Sequence, residues 1–207
     1  MVAHPEQDRS RLRRQRILAA GMAVFSRKGY RDAAVDDIAA ASETSKGGVY
    51  FHFPNKQAIF LALLEQMGAL LITKVEEAMA IAPDPVARGD AALITVLRTF
   101  SGHRSLARLF LVEAMGAGRE FNDAMIGLHG RFTALIKRHL DDAVARGLIG
   151  PLDTEIASAA WFGALNEVAI RWVLTGTPKR LEDAYPTLRV MLARSVGLTL
   201  PSERSER

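Results

Sequence analysis

The chain has 207 residues, 49% of them hydrophobic and 24% charged, with a formal net charge of +4. That balance supports a buried core and excludes a disordered or low-complexity chain. The absence of cysteine excludes disulfides, thiolate catalysis, zinc fingers and iron–sulfur clusters.

Strand signals are nearly absent, and the expected fold class is all-α. A first helix is read from Arg9 to Lys28, with Ile17, Leu18, Gly21, Val24 and Phe25 on one face and Gly29 as a left-handed stop. Val35–Ala41 follows; Ala33 and Ala34 stand where a Ser or Thr cap would help, and Asp36 and Asp37 favour the helix dipole. A third, very short helix starts at a Ser45 or Thr44 cap and is closed by Pro54. Asn55 caps a fourth, Lys56 to Ala80, and Pro83 and Pro85 punctuate a linker. Further helices are expected over 86–102, 104–116, 120–147, 153–175 and 180–197, with 198–207 frayed. The organisation read from this is a helix-turn-helix domain over 9–56, its motif at about 34–53, and a larger helical domain over 57–200.

Charge supports that division. Residues 1–56 hold ten Lys and Arg against six Asp and Glu, whereas the remainder holds seventeen of each. A polyanion-facing N-terminal quarter is expected. The N-terminus is polar and basic, and the longest uncharged run, Ile156 to Asn166, is 11 residues. A bilayer span needs roughly 20, so no membrane partner and a cytoplasmic location are expected.

Two adjacent glycines, Gly47 and Gly48, sit in a helix of about eight residues, at a cost of roughly 2 kcal/mol against alanine. A close approach to the backbone would explain them. Ser45 and Thr44 bring hydroxyls and free N–H groups to a helix start, Lys46 adds a cation, and Tyr50 adds a hydroxyl one turn on. Lys56 lies in a first helical turn, where the dipole disfavours a cation; a second anion site would account for it. Contacts to successive phosphates of a duplex fit both. The blander reading is a three-helix structural cap.

The segment from Arg13 to Leu64 resembles the DNA-binding domain of TetR-family transcriptional regulators. The matching string is Ile17-Leu18-Ala19-Ala20, Phe25, Lys28-Gly29-Tyr30, Val35-Asp36-Asp37-Ile38-Ala39, Ser45 through Phe53, and Asn55-Lys56. The resemblance implies an all-α homodimer on a palindromic double-stranded operator, with a C-terminal domain that binds a small-molecule effector. It places Thr44, Ser45, Lys46, Tyr50 and Lys56 against DNA; Arg13, Arg14, Gly47, Gly48, Phe51 and His52 complete the expected face. Arg9 and Arg11 join Arg13 and Arg14 as expected phosphate or minor-groove contacts. Three positions depart from the family pattern: Glu43 where the turn usually has glycine, Ala33 in place of a Thr cap, and the two glycines, which leave few long side chains to read bases.

The stretch Asp153 to Thr175 is apolar nearly all round, with one stripe through Ala157, Trp161, Ala164, Leu165, Val168 and Trp172, and another through Ile156, Ala160, Gly163, Ile170 and Val173. One face belongs to its own core and one to a partner. With the amphipathic last helix, a four-helix dimer interface is expected from Trp161, Val168, Trp172, Leu188, Met191 and Leu192. Glu113, Asn166 and Glu167 are polar residues inside apolar helices. Each is either a structural pair, as Glu113 or Glu167 with Arg171, or a polar anchor in a pocket. The expected pocket residues are Phe100, His103, Phe110, Glu113, Met125, Leu128, Phe132, Phe162, Leu165 and Asn166, with Met115 also in the apolar wall. Leu111-Val112-Glu113, the helix through Arg131 and Phe162 to Glu167 are similar to the fatty-acid-degradation, FadR-type branch of the family. That implies a long-chain acyl-CoA effector, with Arg98, Arg104, Arg108 and Arg131 as candidate partners of its phosphates; a planar or amphipathic drug-like ligand is the alternative.

The histidines show no metal spacing, and no phosphate-binding loop, dinucleotide fingerprint or nucleophile elbow is found. His129 and His139, ten residues apart, share no close helix face. No metal, cofactor or catalytic residue is therefore expected. The rival reading is an all-α acyl-chain carrier or enzyme with a basic anion-binding N-terminus.

Overall fold

In the computed structural model, which describes residues 5–114 and 118–198, the first helix is longer than its apolar period alone predicts. α1 spans Pro5–Asp32, and Gly29 interrupts it with φ 78°, the left-handed stop read from the sequence, before three more residues turn back into the helix end. α2 (Val35–Ala41) and α3 (Lys46–His52) form the helix-turn-helix. α2 lacks a side-chain cap on Ala34, and the Asp37 carboxylate instead accepts the Ala34 N–H at 3.1 Å. α4 (Lys56–Ala80) starts at Asn55, whose Oδ1 accepts the Ala58 N–H at 2.7 Å. The expected linker is short: Asp84 caps α5 (Pro85–Gly102), with Pro85 at its first position.

α6 (Arg104–Arg108) gives way to a π turn, Leu109–Glu113, closed by the Ala114 N–H on the Leu109 carbonyl at 3.0 Å. The expected 104–116 helix is thus two pieces, and Met115 and Gly116 lie outside the described residues, as do 199–207. α7 (Arg119–Ala145), α8 (Thr154–Thr175), a 3-10 turn (Leu181–Ala184) and α9 (Tyr185–Ser195) complete the chain. The fold is all-α, with no strand among the described residues.

Packing joins the two halves. Ile17, Val24 and Phe25 of α1, Ile38 of α2 and Val49 of α3 bury against Ile59, Phe60 and Leu63 of α4; the same cluster continues into Leu109, Phe110, Phe121 and Leu128. Phe60 sits at its centre, with ring centroids 5.3 Å from Phe25, 4.9 Å from Tyr30 and 5.4 Å from Phe121. The first turns of α4 therefore belong to the N-terminal core. Farther along, α4 crosses α7 closely at Gly68, where an added Cβ would stand 2.3 Å from Leu128 Cδ1. By length and hydropathy α4 passes for a membrane span; Ile59, Phe60, Leu63 and Leu64 of that helix are buried in this core. A second core packs Leu93 and Leu97 of α5 on Trp172 and Val173 of α8 and Leu188 and Leu192 of α9.

Removing the central ring should be felt throughout. Phe60→Ala is expected to cost about 3–5 kcal/mol in urea unfolding. The double variant with Phe121→Ala should cost less than the two single losses together, because the rings share contacts.

Candidate functional site

The turn before α3 is held by short polar bonds. Ser45 Oγ accepts the Gly48 N–H at 3.1 Å, Thr44 Oγ1 donates to the Ser42 carbonyl at 3.2 Å, and the Thr44 N–H reaches the Ala39 carbonyl at 3.0 Å. Glu43 takes φ 52°, the left-handed conformation in which a side chain is strained by about 1–2 kcal/mol. The two glycines have different reasons. A Cβ on Gly48 would lie 2.7 Å from Thr44 Cγ2, so the turn itself requires it, whereas nothing lies within 4 Å of one on Gly47. Gly47 thus leaves an open notch on the outer face of α3.

Around that notch Lys46, Tyr50 and Phe51 are exposed, Phe51 at 81%. Lys46 Nζ pairs with Asp36 at 2.9 Å, which raises its pKa through that hydrogen bond. His52 is half-buried, and burial followed by the charges of Arg13 and Arg14 lowers its pKa, keeping the ring neutral near pH 7. The Arg14 guanidinium lies 4.9 Å over the Phe53 ring. The structure brings Arg13, Arg14 and His52 together beside α3, an arrangement whose basic groups and open helix face suit a phosphate backbone and a groove.

Lys56 has other partners than the second anion site read from the sequence. Its ammonium donates to the carbonyls of Tyr30, Arg31 and Ala33 at 2.8, 3.0 and 2.8 Å, and lies 4.7 Å over the Tyr30 ring. It caps the C-terminal end of α1, where a cation is favoured. Glu113 binds the same corner. Its Oε2 accepts the Tyr30 N–H at 2.8 Å, and its Oε1 lies 3.7 Å from Arg108 Nε. Glu113 is therefore neither a pocket anchor nor the partner of Arg171. A Cβ on Gly29 would stand 3.1 Å from that carboxylate, so the glycine serves the close approach as well as its positive φ.

Nine of the ten expected pocket residues, all but Glu113, line one cavity of about 450 Å³. That lies in the range of about 300–1,000 Å³ typical of small-molecule sites. α4 contributes Met67, Gly68, Leu71 and Val75, and the α6–π segment contributes Leu106, Ala107, Phe110 and Leu111. His129 and His139 both line it despite their different helix faces, because the cavity runs along α7. Burial lowers the pKa of each. Sequence reasoning treated them only as metal candidates; their setting among Leu128, Phe132 and Leu140 was the available signal. Three of the four arginines offered to coenzyme A phosphates hold other partners: Arg104 the Trp172 and Val173 carbonyls at 3.2 and 3.0 Å, Arg131 both oxygens of Glu65 at 2.6 and 2.9 Å, and Arg108 Glu113. Arg98 is exposed.

The expected dimer residues divide. Trp172, Leu188 and Leu192 are buried in the chain's own core, Trp172 at 3% exposure, and so cannot form a surface for a partner. Val168 packs against that core, and Trp161 lines the cavity, its indole N–H donating to Ser195 Oγ at 3.0 Å. Met191 is exposed. On α8 it is Ile156, Ala160 and Gly163 of the second stripe, with Leu174, that face outward. Both stripes are apolar, and the larger rings fill the interior.

Comparison with known proteins bears on both halves. A family model described as bacterial regulatory proteins, tetR family, matches residues 17–63, and one described as tetracyclin repressor-like, C-terminal domain, matches 82–183. The chain belongs to the TetR family. It is similar to the HTH-type transcriptional repressor DhaR of Mycobacterium sp. (strain GP1), at 26% identity over 76% of this chain and 82% of that one. Two solved structures share the TetR-family fold. The fatty acid degradation regulator FadR from Bacillus halodurans has TM-score 0.80 and 22% identity over 89% of this chain and 99% of that one. FadR from Bacillus subtilis, in complex with stearoyl-CoA, has TM-score 0.80 and 20% identity over 90% and 99%.

The two roles open to Lys56 in this fold separate in solution. Lys56→Met should lower stability by about 1.5–3 kcal/mol, from hydrogen bonds to a charged donor, in thermal or urea unfolding. The salt slope of DNA binding should remain unchanged, whereas loss of a phosphate contact would reduce it by about 0.9.

Proposed function

We propose that this TetR-family transcriptional regulator is a homodimeric repressor of a palindromic operator, released by an apolar or amphipathic effector in the C-terminal cavity. The observation that carries the reading is that the end of α1 at Tyr30, which leads into the helix-turn-helix, is held by Lys56 of α4 and Glu113 of the π turn, two elements that line the cavity. Operator contacts are assigned to Arg13, Arg14, Thr44, Ser45, Lys46, Gly47, Gly48, Tyr50, Phe51 and His52, while Lys56 holds the end of α1. The exposed stripe of α8 through Ile156, Ala160, Gly163 and Leu174, with Met191 on α9, is the proposed partner face. A dimer that reads successive major grooves needs its two α3 helices about 34–36 Å apart.

The proposed switch is a population shift. Ligand favours whichever arrangement of α4 and the π turn accommodates it best, and the end of α1 follows. A long acyl chain is the kind of body this apolar cavity suits. The stearoyl-CoA bound by the Bacillus subtilis FadR structure supports that chemistry for a related fold, although most of the arginines needed for its phosphates are engaged here.

The test is an anisotropy titration against labelled duplex from upstream of the gene, with excess shuffled competitor, across a salt series. Competitor-resistant binding at one dimer per duplex is expected, with a slope of about 0.9 per neutralised phosphate. Saturating lauroyl-CoA or dodecan-1-ol should weaken it by about 5- to 150-fold. Binding without sequence preference, or operator affinity indifferent to both ligands, would contradict the proposal.

A further inference from the structure

We infer that the ligand received by this cavity is uncharged: a long apolar body carrying one neutral hydrogen-bonding group, held between His129 and Asn166. The inference rests on reading the cavity as the effector site. Among the described residues, charged side chains reach the cavity only from Lys74, Asp90 and Arg189. Asp90 and Arg189 satisfy each other at 2.7 Å, and Tyr185 joins them by hydrogen bonds. Lys74 is exposed on α4 and keeps its water. Among the described residues that line the cavity, no buried charge lacks a partner; the buried, unpartnered Nε of Arg88 belongs to a residue outside the lining. A carboxylate or ammonium drawn inside would lose hydration without compensation.

The uncharged polar groups are placed differently. The Phe162 ring packs on the His129 imidazole with centroids 4.7 Å apart, and Asn166 follows Phe162 by one turn of α8. His129 and Asn166 therefore border one patch where α7 meets α8, and both line the cavity. Among the described residues neither side chain makes a hydrogen bond. Asn166 offers a donor pair and an acceptor, and a neutral imidazole offers one of each. Burial holds His129 in that neutral form. His139 lies ten residues farther on, about 15 Å along α7, beside Arg88 and Asp142; His103 is exposed at the rim. The apolar remainder of the wall takes the body of the ligand.

The test is displacement of the neutral dye N-phenyl-1-naphthylamine from the full chain by four ligands of one chain length: dodecan-1-ol, dodecanoate, dodecyltrimethylammonium and lauroyl-CoA. Dodecan-1-ol is expected to bind at least about tenfold more tightly than any charged form. Asn166→Leu and His129→Phe should each weaken dodecan-1-ol about three- to tenfold, and by more than either weakens the dye. The comparison of head groups uses the unsubstituted protein, so it stands even where a variant folds poorly. Dodecanoate or lauroyl-CoA binding as tightly as the alcohol would overturn the inference, as would alcohol affinity untouched by both substitutions. Dye binding with no preference among head groups sinks this inference and leaves the effector cavity standing; failure of the dye to bind removes both.

Discussion

Tyr30 is held on three sides, and the rest of the molecule is arranged around that constraint. Its N–H is taken by Glu113 of the π turn, its carbonyl by Lys56 at the start of α4, and its ring by Phe25, Phe60 and Phe121. The end of α1 would otherwise present open carbonyls to a partly apolar corner. Lys56 supplies a positive charge at the favourable end of the dipole, and Glu113 fixes the one N–H that Gly29 turns toward it. Positions of α1, and through it of α2 and α3, are thereby set by the start of α4 and by the π turn.

Those two elements also form cavity wall. α4 begins at the Lys56 cap and lines the cavity about three to six turns later; the π turn lines it at Phe110 and Leu111 and ends at Glu113. A π turn takes one more residue per turn than an α-helix, and such turns recur at functional sites. Here the wider turn separates residues that face the cavity from the one that holds α1. Packed elements respond to a ligand by shifting between arrangements rather than by stretching. A body that changes how Phe110 or Leu71 packs therefore bears on the corner that orients α3.

Local chemistry was legible in the sequence where cause and effect lie within a few residues. Ser45 and Asn55 cap the helices they precede, α2 and α4 have the bounds read from their periodicity, and Glu43, singled out for standing where glycine is usual, takes a positive φ. The apolar lining of the cavity was legible because Phe100, Phe110, Met125, Phe132 and Phe162 share the inward faces of their helices. Long-range polar partners were not. The Tyr30 N–H that Glu113 accepts is 83 residues away in the chain, and the carbonyls capped by Lys56 belong to a helix that ends more than twenty residues earlier. A cation in a first turn reads as an anion site until the neighbouring helix end is placed beside it. Likewise two apolar stripes on α8 give no sign of which faces inward; the bulk of Trp161 and Trp172 decides it only when a core is available to fill.

In the proposed switch Glu113 carries cavity occupancy to the DNA face. The most direct measurement is the ratio of operator affinities with and without saturating dodecan-1-ol, compared between the unsubstituted protein and Glu113→Ala, with N-phenyl-1-naphthylamine binding as a control on the cavity. The ratio, about 5 to 150 in the unsubstituted protein, is expected to fall close to one in the variant while dye affinity is kept. An undiminished ratio in Glu113→Ala would contradict the proposed switch.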